Sequence, residues 1–168
     1  MPKVLIFGNS ASGKSSLARH LCANQAIAHL DLDTLAWAPT APPTRRAVQE
    51  SGDDLQRFID AHEGWVVEGC YADLLELALP YCSEIIFLNL PVELCLANAR
   101  KRPWEPHKYA SRAAQDENLE MLLAWIALYD ERDDEFSRRA HVALYERYQG
   151  ERKMYTDNVP HVAVSSAR

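Results

Sequence analysis

The chain has 168 residues, a length that suits one domain with a core large enough to stand without disulfides or structural metals. Hydrophobic residues make up 48% and charged residues 25%, the balance of a soluble globular protein, and no run approaches the roughly 18 apolar residues of a membrane span. The formal net charge of -6 argues against broad nucleic-acid binding, which rests on a basic footprint.

Lys3-Val4-Leu5-Ile6-Phe7 is a continuous apolar run ending at a glycine, the pattern of a strand buried on both faces of a parallel sheet. The leading Met1-Pro2-Lys3 enters this strand directly, with no signal-peptide pattern, so a cytoplasmic protein with no membrane partner is expected. From Gly13 to about Gln25, Leu17, Ala18, Leu21 and Cys22 recur at helical spacing. Ile27 to Leu32 reads as a second strand running into Asp31-Leu32-Asp33. Pro39, Pro42 and Pro43 then argue against regular structure. Helix resumes by Asp53, with Leu55, Phe58 and Ile59 on one face. Trp65 to Glu68 is a third strand and Ala72 to Leu79 a short helix.

Glu84 to Leu90 is the fourth strand, and Pro91 suits the first turn of the helix that follows to about Arg102. Pro103 to Lys108 breaks the pattern. Glu117 to about Tyr148 is helical, divided near Asp130 to Asp134, and Val162-Ala163-Val164 forms a weak last strand. Cys22, Cys70, Cys82 and Cys95 lie in or beside apolar segments with no C-x-x-C spacing, as small buried thiols do. Strands alternate with helices throughout, so the expected fold is α/β, a parallel sheet covered on both faces. Ligands of such sheets bind at the carboxyl ends of the strands.

Gly8-Asn9-Ser10-Ala11-Ser12-Gly13-Lys14-Ser15 fits G-x-x-x-x-G-K-[ST] and sits between an apolar strand and an amphipathic helix. The glycines permit a tight turn whose amides cradle phosphate oxygens. Lys14 reaches the β- and γ-phosphates, Ser15 ligates magnesium, and the helix aims its positive end at the anion. Residues 8 to 15, with Ser16, are therefore the expected nucleotide-binding set, for ATP with Mg²⁺. No N-K-x-D motif marks a GTPase. The strand ending at Leu90 lacks a terminal aspartate, so magnesium needs a second anchor elsewhere.

Asp31 and Asp33 are the candidates. Residues two apart on a strand share a face, so both carboxylates can point into one cleft. One can hold magnesium-bound water, a metal role assigned to Asp31; the other can accept a hydroxyl proton or orient the acceptor, a role assigned to Asp33. A competing role for Asp33-Thr34 is a helix cap.

With the acids 17 and 19 residues past Lys14, this arrangement resembles the shikimate kinase and nucleoside monophosphate kinase group. A closer resemblance is to the adenylate-kinase-like proteins called DNA topology modulation proteins, of FlaR type. It rests on His29 to Trp37, Trp65 to Tyr71 and Ile85 to Leu88. The resemblance implies a P-loop α/β/α fold with five parallel strands in the order 2-3-1-4-5, ATP as donor and a mobile lid. The chain departs from shikimate kinases at Glu68-Gly69-Cys70, where those carry a glycine triplet. It also has no Phe-Arg motif to grip a carboxylate, although Arg45, Arg46 and Arg57 lie nearby.

One domain, 1–168, is expected, with a lid near 100–115 and an acceptor-side segment near 33–64. Arg100 and Arg112 are the expected catalytic lid arginines beside Lys14 and Asp33, with Arg138-Arg139 a further option. Asp31, Asp33, Trp37, Glu68 and Gly69 are expected at the acceptor. The function expected is an ATP-dependent kinase acting on a hydroxyl or phosphate of a small metabolite. The alternative is a nucleotide-binding regulatory module with little or no transferase activity.

Overall fold

A computed structural model describes residues 1–160. Its parallel sheet begins with β1 (Lys3–Gly8), β2 (Ala28–Asp31) and β5 (Trp65–Gly69), and continues with β6 (Glu84–Leu88) and β7 (Glu151–Tyr155). Two further strands, β3 (Trp37–Ala38) and β4 (Thr44–Arg45), form a separate antiparallel hairpin. The helices are α1 (Lys14–Asn24), α2 (Asp33–Ala36), α3 (Val48–Ala61), α4 (Ala72–Ala78), α5 (Val92–Lys101), α6 (Arg112–Ala127) and α7 (Arg138–Arg147). A 3-10 turn, Leu79–Tyr81, follows α4.

Alternation along each strand divides the core into two layers. Leu5, Phe7, Trp65, Val67, Ile85 and Phe87 face one side, where residues of α3, α4 and α7 complete a buried cluster. Val4, Ile6, Val66, Ile86 and Leu88 face the other, against Leu17, Ala18 and Leu21 of α1, Cys95 and Ala99 of α5 and Ile126 of α6. Central strands covered on both faces must be apolar at every position, which is why their sequences read as unbroken hydrophobic runs.

The sheet order is β2-β5-β1-β6-β7. The expected 2-3-1-4-5 numbering changes because the β3-β4 hairpin falls between β2 and β5 in the chain. With the hairpin left out of the count, the five parallel strands succeed one another as second, third, first, fourth and fifth. The outer strand also differs from expectation. It is Glu151–Tyr155, pairing parallel to β6 from Glu84↔Glu151 to Leu88↔Tyr155. Its sequence, ERKMY, carries three charged residues, because an edge strand has one side open to solvent. Val162-Ala163-Val164 lies outside the described residues.

Four other expectations shift. The proline-rich stretch carries the β3-β4 hairpin, closed where the prolines fall between its strands. Helix α3 begins at Val48, five residues before Asp53. Helix α6 begins at Arg112, where the Ser111 side chain accepts from the Ala114 amide. Pro91 stands just outside α5, at its N-cap.

The carboxyl ends of β1, β2 and β5 lie side by side, and α7 locks the last of them. His141, fully buried, donates from Nε2 to the Cys70 carbonyl at 2.8 Å. Burial pulls its pKa down to about 4, so the ring is neutral. A neutral ring that donates from Nε2 must accept at Nδ1, and the Tyr129 hydroxyl supplies that proton at 2.7 Å.

Candidate active site

The phosphate-loop sequence forms the turn between β1 and α1. Gly8 has φ 154°, and a Cβ there would meet the Leu88 carbonyl oxygen at 2.5 Å, so only glycine fits. Gly13 has φ 96° and Ala11 φ 61°. A left-handed alanine is costly by about 1 kcal/mol or more, and such backbone concentrates where function demands it. Asn9 anchors the turn: its Nδ2 donates to the Ile126 carbonyl at 3.2 Å and its Oδ1 accepts from the Ser10 amide at 2.8 Å. Asn98 on α5 holds the other side, donating to the Ala11 carbonyl at 3.0 Å. Lys14 Nζ lies 2.6 Å from the Asn9 carbonyl.

A cavity of about 810 Å³ opens over this turn. Residues 10 to 17 form one wall, Asp31, Asp33, Glu68 and Gly69 another, and residues 101 to 109 a third. Gly8 and Asn9, both expected to touch nucleotide, lie beneath the loop and shape it from behind instead of lining the cavity. Ser16 does line it.

Alternation on the strands also explains the acids. Glu68 falls on the same face of β5 as Val66, the face covered by α1, and Asp31 is its register partner on β2. Glu68, only 1% exposed, accepts at Oε2 from the Ser15 hydroxyl at 2.6 Å, and His29 Nε2 stands 3.0 Å from the same oxygen. The carboxylate that meets the Ser15 hydroxyl thus comes from β5, the strand on the other side of β1 from β6. Glu68, expected at the acceptor, belongs beside the hydroxyl of the phosphate loop. Spacing along the sequence does not reveal His29, because its partner lies 39 residues away on a neighbouring strand.

Asp31 and Asp33 both line the cavity, but not as alternate residues of one strand. Asp31 ends β2, whereas Asp33 opens α2. Asp31 Oδ1 accepts from the Asp33 amide at 2.9 Å, which tightens the turn and brings the two carboxylates together. Asp33 caps no helix with its side chain. Burial pushes Asp31 up from 3.8 to about 6, with the charges of Glu68 and then Asp33 adding to it.

Two groups face these acids. Tyr71 donates from its hydroxyl to Asp33 Oδ1, and Trp37 Nε1 donates to the Tyr71 oxygen at 2.8 Å. Burial, with nearby Cys70 and Asp33, pushes the Tyr71 phenol up, so it remains a neutral donor. Trp37, expected at the acceptor, does not line the cavity; it buttresses Tyr71 from behind. On the open side, Lys108 Nζ stands 3.6 Å from Asp33 Oδ2 and 4.0 Å from Asp31 Oδ2. Burial draws the Lys108 pKa down, but the Asp33 and Asp31 carboxylates outweigh it and the net shift is upward. Cys70 also lines the cavity, but burial pushes its thiol up to about 12, which leaves no thiolate for nucleophilic chemistry.

The basic groups at the cavity are not those expected. Arg100 is exposed on α5 and Arg112 exposed at the start of α6, and neither lines the cavity. Lys101, the last residue of α5, Arg102 and Lys108 do. Arg138 is occupied elsewhere, bonded to Asp130, Asn89 and the Leu90 carbonyl.

The turn suits a polyphosphate. Ser12 Oγ is buried without a hydrogen-bond partner, inside a loop whose successive amides form an anion cradle. Ser15, Glu68 and Asp31 are hard oxygen donors of the kind magnesium takes. Among the described residues no group of three or more His, Cys, Asp or Glu side chains could hold a metal alone. Among the described residues no helix is long and apolar enough to cross a membrane.

No family model matches the chain, and no curated protein matches it. Solved structures do. A shikimate kinase from Acinetobacter baumannii, in complex with shikimate, superposes with a TM-score of 0.57 at 16% identity, over 99% of this chain and 90% of its own. A sugar kinase from a Janibacter species gives 0.57 at 12% identity, over 99% and 91%. A shikimate kinase from Bacteroides thetaiotaomicron gives 0.52 at 14%, over 94% and 87%. At these identities the likeness is one of fold: an α/β kinase fold built on a five-stranded parallel sheet, shared along nearly the whole chain. It does not single out the FlaR-type proteins.

Proposed function

We propose that the chain is an ATP-dependent small-molecule kinase that transfers the γ-phosphoryl group to a hydroxyl or phosphate oxygen of a small metabolite. The observation that carries this reading is that Lys14 and Asp33 line one cavity, which Ser15, Glu68 and Arg102 line as well. The loop between α5 and α6 is the lid. Its closure would exclude water and bring Lys101 and Arg102 toward the phosphates.

Each residue then has a defined task. The amides of residues 11 to 16 bind the β- and γ-phosphates, and Lys14 neutralises the charge that spreads over the transferring group. Ser15 would be the protein's direct magnesium ligand, with Glu68 and Asp31 placed to hold the ion's water, and the ion would withdraw charge from the phosphates. Asp33 accepts the proton as the acceptor oxygen forms its bond to phosphorus and the bond to the ADP oxygen breaks. Tyr71 fixes Asp33 Oδ1, which leaves Oδ2 to face the acceptor once Lys108 moves aside.

The test is acceptor-stimulated ADP release with magnesium and ATP across a metabolite panel. Turnover lost in Asp33→Asn with ATP affinity retained supports the reading. Tight ATP binding without stimulation by any acceptor sinks it in favour of a nucleotide-binding regulatory module.

A further inference from the structure

The acceptor end of the cavity has a charge pattern that selects its ligand. Three arginines lie in the segment that would receive an acid group, and internal carboxylates absorb all three. Arg45 bonds Asp73 at 3.2 Å and Glu135 at 3.1 Å, with its guanidinium 4.9 Å from the centre of the Tyr71 ring. Arg46 bonds Asp54 at 2.9 Å and the Leu35 carbonyl at 3.0 Å. Arg57 is exposed and pairs with Asp54. None of the three lines the cavity. Lys14, Arg19, Lys101 and Arg102 do; Lys14 and Arg19 belong to α1, which opens on the phosphate loop, and Arg102, at the end of α5, is paired with Glu105 at 3.8 Å.

What the acceptor end presents instead is Asp31 and Asp33, and a cation already stands between them. Lys108 brings its ammonium to within 4.0 Å of one carboxylate and 3.6 Å of the other. It arrives from the lid, the segment that must move for an acceptor to enter. Trp104 and Tyr109, from the same lid wall, also line the cavity.

Resting on the kinase reading above, we propose that the acceptor is a hydroxyl compound carrying an ammonium group, an amino alcohol or amino sugar, whose cation takes the place of Lys108 between Asp31 and Asp33. The hydroxyl is the nucleophile: its oxygen bonds to the γ-phosphorus, its proton passes to Asp33 Oδ2, and ADP departs. The ammonium stays protonated and takes no covalent part. Carboxylated and phosphorylated acceptors meet two acids there, and none of Arg45, Arg46 and Arg57 reaches the cavity, so they are disfavoured.

Matched sets of probes test this: serinol, glycerol and glycerate, and glucosamine, glucose and glucuronate. Each is assayed for ADP release with magnesium and ATP. Each is also assayed for thermal stabilisation of the protein loaded with a non-hydrolysable ATP analogue. The ammonium member of a set is expected to exceed its neutral partner by at least about tenfold in kcat/KM or affinity, the factor one charge-assisted contact supplies, with the carboxylate weakest. In Lys108→Met the affinity for the ammonium probes is expected to rise, since the competing cation is gone. A carboxylate probe equal to or better than its ammonium partner overturns the inference and leaves the kinase reading standing. So does binding or turnover without charge preference. Ammonium-selective binding without ADP release overturns the kinase reading and keeps the ligand class. No response to any probe, by either readout, overturns the ligand class.

Discussion

The phosphate-loop end and the acceptor end of the cavity are held by different kinds of force. On the kinase reading the main chain of the phosphate loop would bind the phosphates, and what fixes that loop is burial. β1 lies between two layers of core, and a glycine fits where any Cβ would strike Leu88. At the acceptor end side chains hold one another: Trp37 to Tyr71 to Asp33, Lys108 across both aspartates, Arg45 between Asp73 and Glu135. A main-chain cradle suits any polyphosphate, whereas a network of side chains changes with each substitution. Specificity therefore belongs to the second region and transferable chemistry to the first.

The largest expected effect lies where the two regions meet. Asp33→Asn is expected to lower kcat by roughly 10²–10⁴, the usual contribution of a general base, with ATP affinity unchanged. Steady-state kinetics beside calorimetric ATP titration checks this, and a loss of ATP affinity of similar size would move Asp33 to the phosphate end. Lys14→Ala is expected to cost on the order of 10²–10³ in kcat and to weaken ATP as well, because it touches phosphate in both states. Unchanged turnover there would contradict the main-chain end as drawn.

Tyr71→Phe probes the side-chain end alone. It deletes one hydrogen bond to an ionised acid and leaves the ring in place, so kcat is expected to fall about tenfold with KM for ATP unaffected. A change in ATP KM without a change in kcat would show that Tyr71 serves the fold and not the base.

The smallest effect is on stability. Burial, with Glu68 and Asp33, holds Asp31 at about 6 against 3.8 in a free chain. The folded protein thus keeps this proton more tightly than the unfolded chain does. Ionising Asp31 therefore costs stability as pH rises from about 4 to about 6, and the cost is fully present above that window. Asp31→Asn is expected to raise Tm by a few degrees at about pH 7.5 and hardly at all at about pH 4, without nucleotide or magnesium. Equal shifts at both pH values would show that the acid cluster is not strained by its own charge.

Legibility in the sequence followed the same division. The phosphate loop was readable because its chemistry is local: eight adjacent residues, a strand before and a helix after. The central strands were readable because double burial forces apolar runs. The edge strand Glu151–Tyr155 was not, since an edge strand tolerates charge and ERKMY looks like surface. Arg100 and Arg112 looked suited to a lid, but direction along α5 and α6, which spacing does not reveal, turns them outward and turns Arg102 and Lys108 in. Glu68 was singled out for the wrong neighbour. Its place beside Ser15 follows from β5 lying next to β1, a fact of topology that becomes usable only once the strand order is known.

The most direct measurement is a structure with magnesium and a non-hydrolysable ATP analogue. The account expects the γ-phosphate to lie between Lys14 and Asp33, magnesium on Ser15 near Glu68 and Asp31, and Lys108 lifted from the aspartates. A nucleotide whose γ-phosphate points away from Asp33, with Lys108 still bridging the two acids, would contradict it.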